Sequence, residues 1–175
     1  MSKYTEQAEK FLKDHGLTFT AQLIGSDCPK FCEDAAKMRE MDNHEFLSEV
    51  NEAGESFAES AQEMLDALRA AQESEDNEAE DEARRTIDAH PLSVQVRGGW
   101  HTPGCGGRVA EEFEILLGTG GPASRIIGEL NEYAEPDSAR FEYQDWFKPW
   151  TPALNLSEDQ NEAILEFARQ FYYGE

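Results

Sequence analysis

Cys28, Cys32, His101 and Cys105 come nearest to a chemical site in this chain, because three thiols and an imidazole make the ligand set of a closed zinc centre. The pairs Cys28-x3-Cys32 and His101-x3-Cys105 sit in Pro- and Gly-rich stretches where ligands could converge. A strand argument changes the set. If segments 18–24, 92–100 and 112–118 form an antiparallel meander, Cys28 and Cys32 lie beside His90, and His101 and Cys105 fall at the opposite end. Asp27, Cys28, Cys32 and His90 are then the better local group. C-x3-C is a weaker zinc signature than C-x2-C, so free thiols and no metal are expected, and converting Cys28 and Cys32 to Ser should shift melting only slightly.

Other chemistry is thinner. His15, His44, His90 and His101 are scattered, and none accompanies a serine or cysteine in a triad or elbow context. GTGGPAS at 118–124 puts glycines before a Pro, but it lacks the Lys-Ser/Thr of a phosphate loop, and Glu111, Glu112 and Glu114 would oppose an anion. No EF-hand spacing occurs among the acids. We therefore expect no catalytic residue, no cofactor and no enzyme.

The strongest signal is acidic. Glu45, Glu49, Glu52, Glu55, Glu59, Glu63 and Asp66 recur every three or four residues, which on a helix makes a stripe with a carboxylate every ~4.5 to 6 Å. That spacing is comparable to phosphates along a DNA strand, so the stripe could imitate a duplex edge toward a basic cleft. Glu73, Glu75, Asp76, Glu78, Glu80, Asp81 and Glu82 extend the charge beyond it. The competing readings are a solvated helix face and salt adaptation, the latter suggested by six Lys against 37 acids.

The elements that would position these groups follow from periodicity. Tyr4, Ala8, Phe11 and Leu12 predict a short opening helix closed by Gly16, and TFTAQLI at 18–24 alternates as a half-buried strand. Phe46, Val50, Ala53, Phe57, Ala61, Met64, Leu68 and Ala71 form the apolar seam of a long helix, with Gly54 its one weak point and a turn near Asn77 before a second helix over 82–89. Segments 92–100 and 112–118 read as a β-hairpin. Pro122, Ile126, Ile127, Leu130 and Tyr133 predict a further helix, and Phe141, Tyr143, Trp146, Phe147 and Trp150 an aromatic cluster serving chiefly as core. The last helix should start at Ser157, boxed by Gln160, and bury Ile164, Leu165, Ala168, Phe171 and Tyr172.

Composition sets the outer bounds. The 175 residues carry a formal charge of -22, with 39% hydrophobic residues, enough for a core and for one domain over 1–175. Such a field repels phosphate backbones and anionic lipid, so direct nucleic-acid or membrane binding is disfavoured and a basic protein partner is favoured. No stretch has the length or hydropathy of a membrane span or secretory signal, so a cytoplasmic location is expected.

With residues 44–88 set aside, the order helix, TFTAQLIG, HPLSVQVRGGW, EFEILLG, GPASRIIGELNEY, ARFEYQDWF and terminal helix resembles a group of small uncharacterised proteins of phages and mobile elements. The resemblance implies a phage-like origin and a plan of helix, three-strand meander and helices, but no activity. The expectation is thus an α+β domain with a small three-stranded antiparallel sheet and an inserted acidic helical arm at 44–88. Deleting 45–86 should then leave a folded domain, because loop-closure cost grows only logarithmically. The expected function is inhibition of a nucleic-acid-binding host defence protein, with a homodimer through the arm helix as a further pairing. A halophilic or metal-stabilised accessory protein is the alternative.

Overall fold

A computed structural model describes residues 29–99, 110–146 and 148–174, with side chains from residue 43 onward. The chain divides into two units, Met1–Asn43 and His44–Glu175. Of the first, the backbone of 29–43 is helical; the expected opening helix and the strand at 18–24 lie outside the described residues.

Helix α1 runs Pro29–Glu73, with Pro29 in its first turn, where a missing N–H costs nothing. It is far longer than the apolar seam alone required. It ends in a paired cap: Asp76 N–H donates to Ala71 O and Glu75 N–H to Gln72 O, with Glu75 left-handed at φ 54. The Asp76 carboxylate then accepts from Glu78 N and Ala79 N at 3.1 and 3.2 Å, opening helix α2, Asn77–Ala89. The break falls at 74–76, a step before Asn77.

The sheet has five strands in simple meander order, all neighbours antiparallel: β1 (Ser93–Arg97), β2 (Glu112–Gly118), β3 (Ala123–Glu129), β4 (Arg140–Gln144) and β5 (Thr151–Pro152). The expected hairpin is present as β1 and β2. The expected three-stranded sheet is corrected to five strands, and the expected helix after Pro122 is strand β3. Adjacent Ile126 and Ile127 point to opposite faces of a strand: Ile126 is fully buried, opposite Ile115 and Phe141, and Ile127 is partly exposed, opposite Glu114 and Arg140. A helix would have needed Tyr133 to continue the apolar face, and Tyr133 is 75% exposed in the turn that follows.

Helix α3, Glu158–Ala168, keeps its expected capping box, with Ser157 Oγ accepting from Gln160 N and Gln160 Oε1 accepting from Ser157 N. It buries Ala163, Ile164, Phe167 and Ala168, whereas Tyr172 is exposed and Tyr173 turns inward instead, its hydroxyl donating to Ala168 O at 2.7 Å. Burial pushes the Tyr173 phenol well above its ordinary range.

The core explains the long helix. Phe57, Ala58, Ala61, Leu65 and Leu68 of α1 join Ala83 and Ile87 of α2, Phe113, Ile115, Ile126 and Phe141 of the sheet, and Ile164, Phe167 and Ala168 of α3 in one apolar cluster. Phe57 stands at the junction, 5.6 Å from the Phe141 ring and 5.3 Å edge-on to Phe167. The expected inserted arm is not confirmed: from Phe46 onward this segment buries its apolar face as a layer of the fold. Gly54, weak by propensity, is required by packing, since a Cβ there would lie 2.7 Å from the Ala153 Cβ.

Candidate interaction surface

At about 100° per residue, Glu45, Glu49, Glu52, Glu55, Glu59, Glu63 and Asp66 fall within one face of α1, opposite the face that buries Val50, Phe57, Ala61 and Leu68. All seven are exposed. The sequence put this stripe beside the seam; the folded helix puts it across from it. Glu52 accepts from Ser48 Oγ, and Asp66 from Gln62 and Arg69 at 2.8 and 2.9 Å. Glu45, Glu55, Glu59 and Glu63 form no ion pair with any described residue.

Beyond the turn, Glu73, Glu75, Asp76, Glu78, Asp81 and Glu82 are exposed and Glu80 is partly covered. Asp76 is occupied as the α2 cap, Glu80 pairs with Arg84, and Asp81 faces Arg85 at 3.8 Å. These residues are therefore partly spent on holding α2, while those of α1 are open to solvent. Like charges three or four apart on a helix cost a few tenths of a kcal/mol each. The stripe thus weakens the helix that carries it.

A second charged surface escaped the sequence reading. The sheet face turned away from the core carries Arg125, whose guanidinium donates to Glu114 at 2.6 Å and to Glu142 at 2.7 and 3.0 Å, with Arg140 Nε donating to Glu142 at 2.9 Å. The Trp150 ring stacks on Arg125 at 4.2 Å. Glu142 is the one buried charged residue among those described, and every buried side-chain polar atom there has a partner. Arg125, Glu114 and Arg140 line a cleft of about 320 Å³ together with Arg97, Glu112 and Glu129. Its signal was the alternation of Glu112 and Glu114 with Phe113 and Ile115, which puts both acids on one face of β2. Within the network Glu114 and Glu142 are each paired with arginine.

The aromatic run divides by strand geometry. Phe141 is core, Tyr143 and Trp150 are partly covered, and Trp146 is 65% exposed; the side chain of Phe147 lies outside the described residues. Burial, then the charges of Glu49 and Asp145, raises the Tyr143 phenol pKa.

Of the metal candidates, Cys32 falls within the α1 backbone, while Cys28, His101 and Cys105 lie outside the described residues. His90 caps the end of α2, its ring 5.7 Å from both Phe57 and Phe167. Among the described residues no group of His, Cys, Asp or Glu is gathered for a metal, and no helix is long and apolar enough to cross a membrane.

Burial lowers the His90 pKa below its ordinary 6.5. The unfolded chain therefore takes up this proton first as pH falls, so the stability contributed by neutral His90 is complete above about 6.5 and is lost progressively below it. Between pH 7.5 and 5.5 the wild type should lose more urea stability than His90→Phe; equal losses would show that the ring has no such role.

No protein family, no curated protein and no solved structure matches this chain.

Proposed function

We propose that this chain is a non-enzymatic, phage-like inhibitor that occupies the basic nucleic-acid-binding surface of a host defence protein, such as a restriction nuclease or CRISPR effector, by mimicking DNA. The observation that carries the reading is the row of seven exposed carboxylates along one face of α1. A helix packed by its opposite face is a rigid mount, so the charges are fixed before binding. A stripe that costs helix stability has a use elsewhere.

The test is competition. The wild type should displace duplex DNA from a purified defence nuclease, with affinity falling steeply as salt rises, because a polyanion docking on an Arg and Lys groove is screened as DNA is. Reversing Glu49, Glu52, Glu59 and Glu63 to Lys should weaken this by at least ~100-fold while melting stays level or rises, since new Lys–Glu pairs replace like-charge neighbours. Undiminished competition by the reversed protein would overturn the reading.

A second reading, salt adaptation, is favoured by the spread of acids beyond α1, to Glu132, Glu135, Asp137, Glu158 and Asp159, all exposed. Lys148 is the sole lysine after residue 43. A salt-adapted acidic protein is destabilised at low salt by self-repulsion. Cooperative melting at low salt, retained by the reversed variant, separates the two.

A further inference from the structure

Leu47 is the one large apolar side chain among the described residues of α1 that is left exposed, at 45%. Leu154, in the segment after β5, is 76% exposed. Both line a groove of about 440 Å³ between α1 and residues 152–155, a volume within the range of ligand sites. On the α1 side Leu47, Asn51 and Glu55 line it, four residues apart, so they form one ridge that runs from apolar through amide to acid.

The two walls are tied to each other. Asn51 Oδ1 accepts from the backbone N–H groups of Leu154 and Asn155 at 3.0 and 3.2 Å, and Asn51 Nδ2 donates to Leu47 O at 2.8 Å. The groove is therefore set before anything enters it, which lowers the entropy cost of binding. Glu52 also lines it, and neither Glu52 nor Glu55 has an ion pair among the described residues.

We propose that this groove takes an extended segment of the target protein that carries one large apolar side chain and, about 12 Å along, a Lys or Arg. The inference rests on the reading of α1 as the face that meets a basic target. The spacing comes from the ridge: Leu47 and Glu55 are eight residues apart at about 1.5 Å each, a span that three or four extended residues cover. Charge complementarity selects the basic residue, and the exposed Leu47 and Leu154 select the apolar one. The carboxylate stripe attracts any basic surface; an apolar anchor beside it adds selectivity, because that contribution does not depend on charge.

The probe is the peptide acetyl-Arg-Lys-Ser-Ser-Leu-Ser-Ser-Lys-Arg-amide, whose basic residues stand three and four positions to either side of the leucine, so that either chain direction satisfies the spacing. Its control has Ser in place of Leu. Titrated into the full chain and followed by backbone amide shifts, the leucine peptide should bind at least ~tenfold more tightly than the control, with shifts centred on 47–55 and 152–155. Leu154→Ser should abolish that ratio and keep the wild-type melting curve, since Leu154 is mostly exposed. Glu52→Gln with Glu55→Gln should weaken both peptides alike and leave the ratio, because it removes charge alone. Equal binding of the two peptides, a ratio that survives Leu154→Ser, shifts centred elsewhere, or a melting temperature several degrees lower in Leu154→Ser, which would place that side chain in packing within the chain, would each overturn the proposal. Loss of the peptide ratio with DNA competition intact defeats the groove alone; loss of competition with the ratio intact defeats the mimic reading alone.

Discussion

A chain in which residues 45–86 are replaced by a short Gly-Ser bridge is expected to show no cooperative thermal transition and a collapsed, poorly dispersed NMR spectrum. The excision removes Phe57, Ala58, Ala61, Leu65, Leu68 and Ala83, six of the fifteen members of the core cluster, and with them Phe46, Val50 and Ala71. Burying a large apolar side chain stabilises by about 1.5–3 kcal/mol, against a total of roughly 5–15 kcal/mol for a domain. The loss exceeds the total. It also strips the sheet of its cover, exposing Ile115, Ile126 and Phe141 to water. The logarithmic loop-closure argument treats the segment as a tether, but this one is a packed layer. A sharp transition with dispersed methyl signals from the excised chain would show that the sheet and α3 make a sufficient core alone.

Replacing Arg125 by Met is expected to destabilise the protein by about 3 kcal/mol, lowering Tm by roughly 6–12 °C. Glu142 is 5% exposed and takes two hydrogen bonds from Arg125, so the substitution leaves a buried carboxylate with Arg140 as its remaining cation. Glu114 loses its partner as well, and the Trp150 ring loses the guanidinium stacked on it. Arg125→Lys keeps the charge but not the fork, and should fall between wild type and Arg125→Met. Adding Glu142→Met to Arg125→Met should recover much of the loss, because the main cost is the stranded charge. A loss below ~0.5 kcal/mol for Arg125→Met, or no recovery in the double variant, would mean that the network is no more than a surface ion pair.

Legibility in the sequence followed the range of the interaction. The capping box at Ser157 and Gln160 was readable because both partners lie within one turn. The seam of Phe46, Val50, Phe57, Ala61 and Leu68 was readable because helical period is local, and the β1–β2 hairpin because the alternation in 92–97 and 112–117 is local too. Strand β3 was misread because Ile126, Ile127 and Leu130 fit a helix as well as a strand over so short a span; pairing with β2 on one side and β4 on the other chose between them. Strand β5, two residues containing Pro152, exists by virtue of its register with Glu142 and Tyr143.

The sequence by itself determined the acidic character of the chain, the exposure of Glu45, Glu49, Glu55, Glu59 and Glu63, and the helix on which they stand, since charge is a property of composition and a stripe is a property of period. Only the tertiary structure decided what lies behind that stripe. The apolar face of α1 could have met a second helix, a partner chain or a sheet, and the identity of the surface covering it depends on residues more than eighty positions away, such as Phe141 and Phe167 against Phe57. The same holds for Glu142, which reads in sequence as one acid among 37 and becomes the buried anchor of Arg125 only when β3 and β4 are side by side. Burial and pairing are relations between distant segments, and no local pattern encodes them.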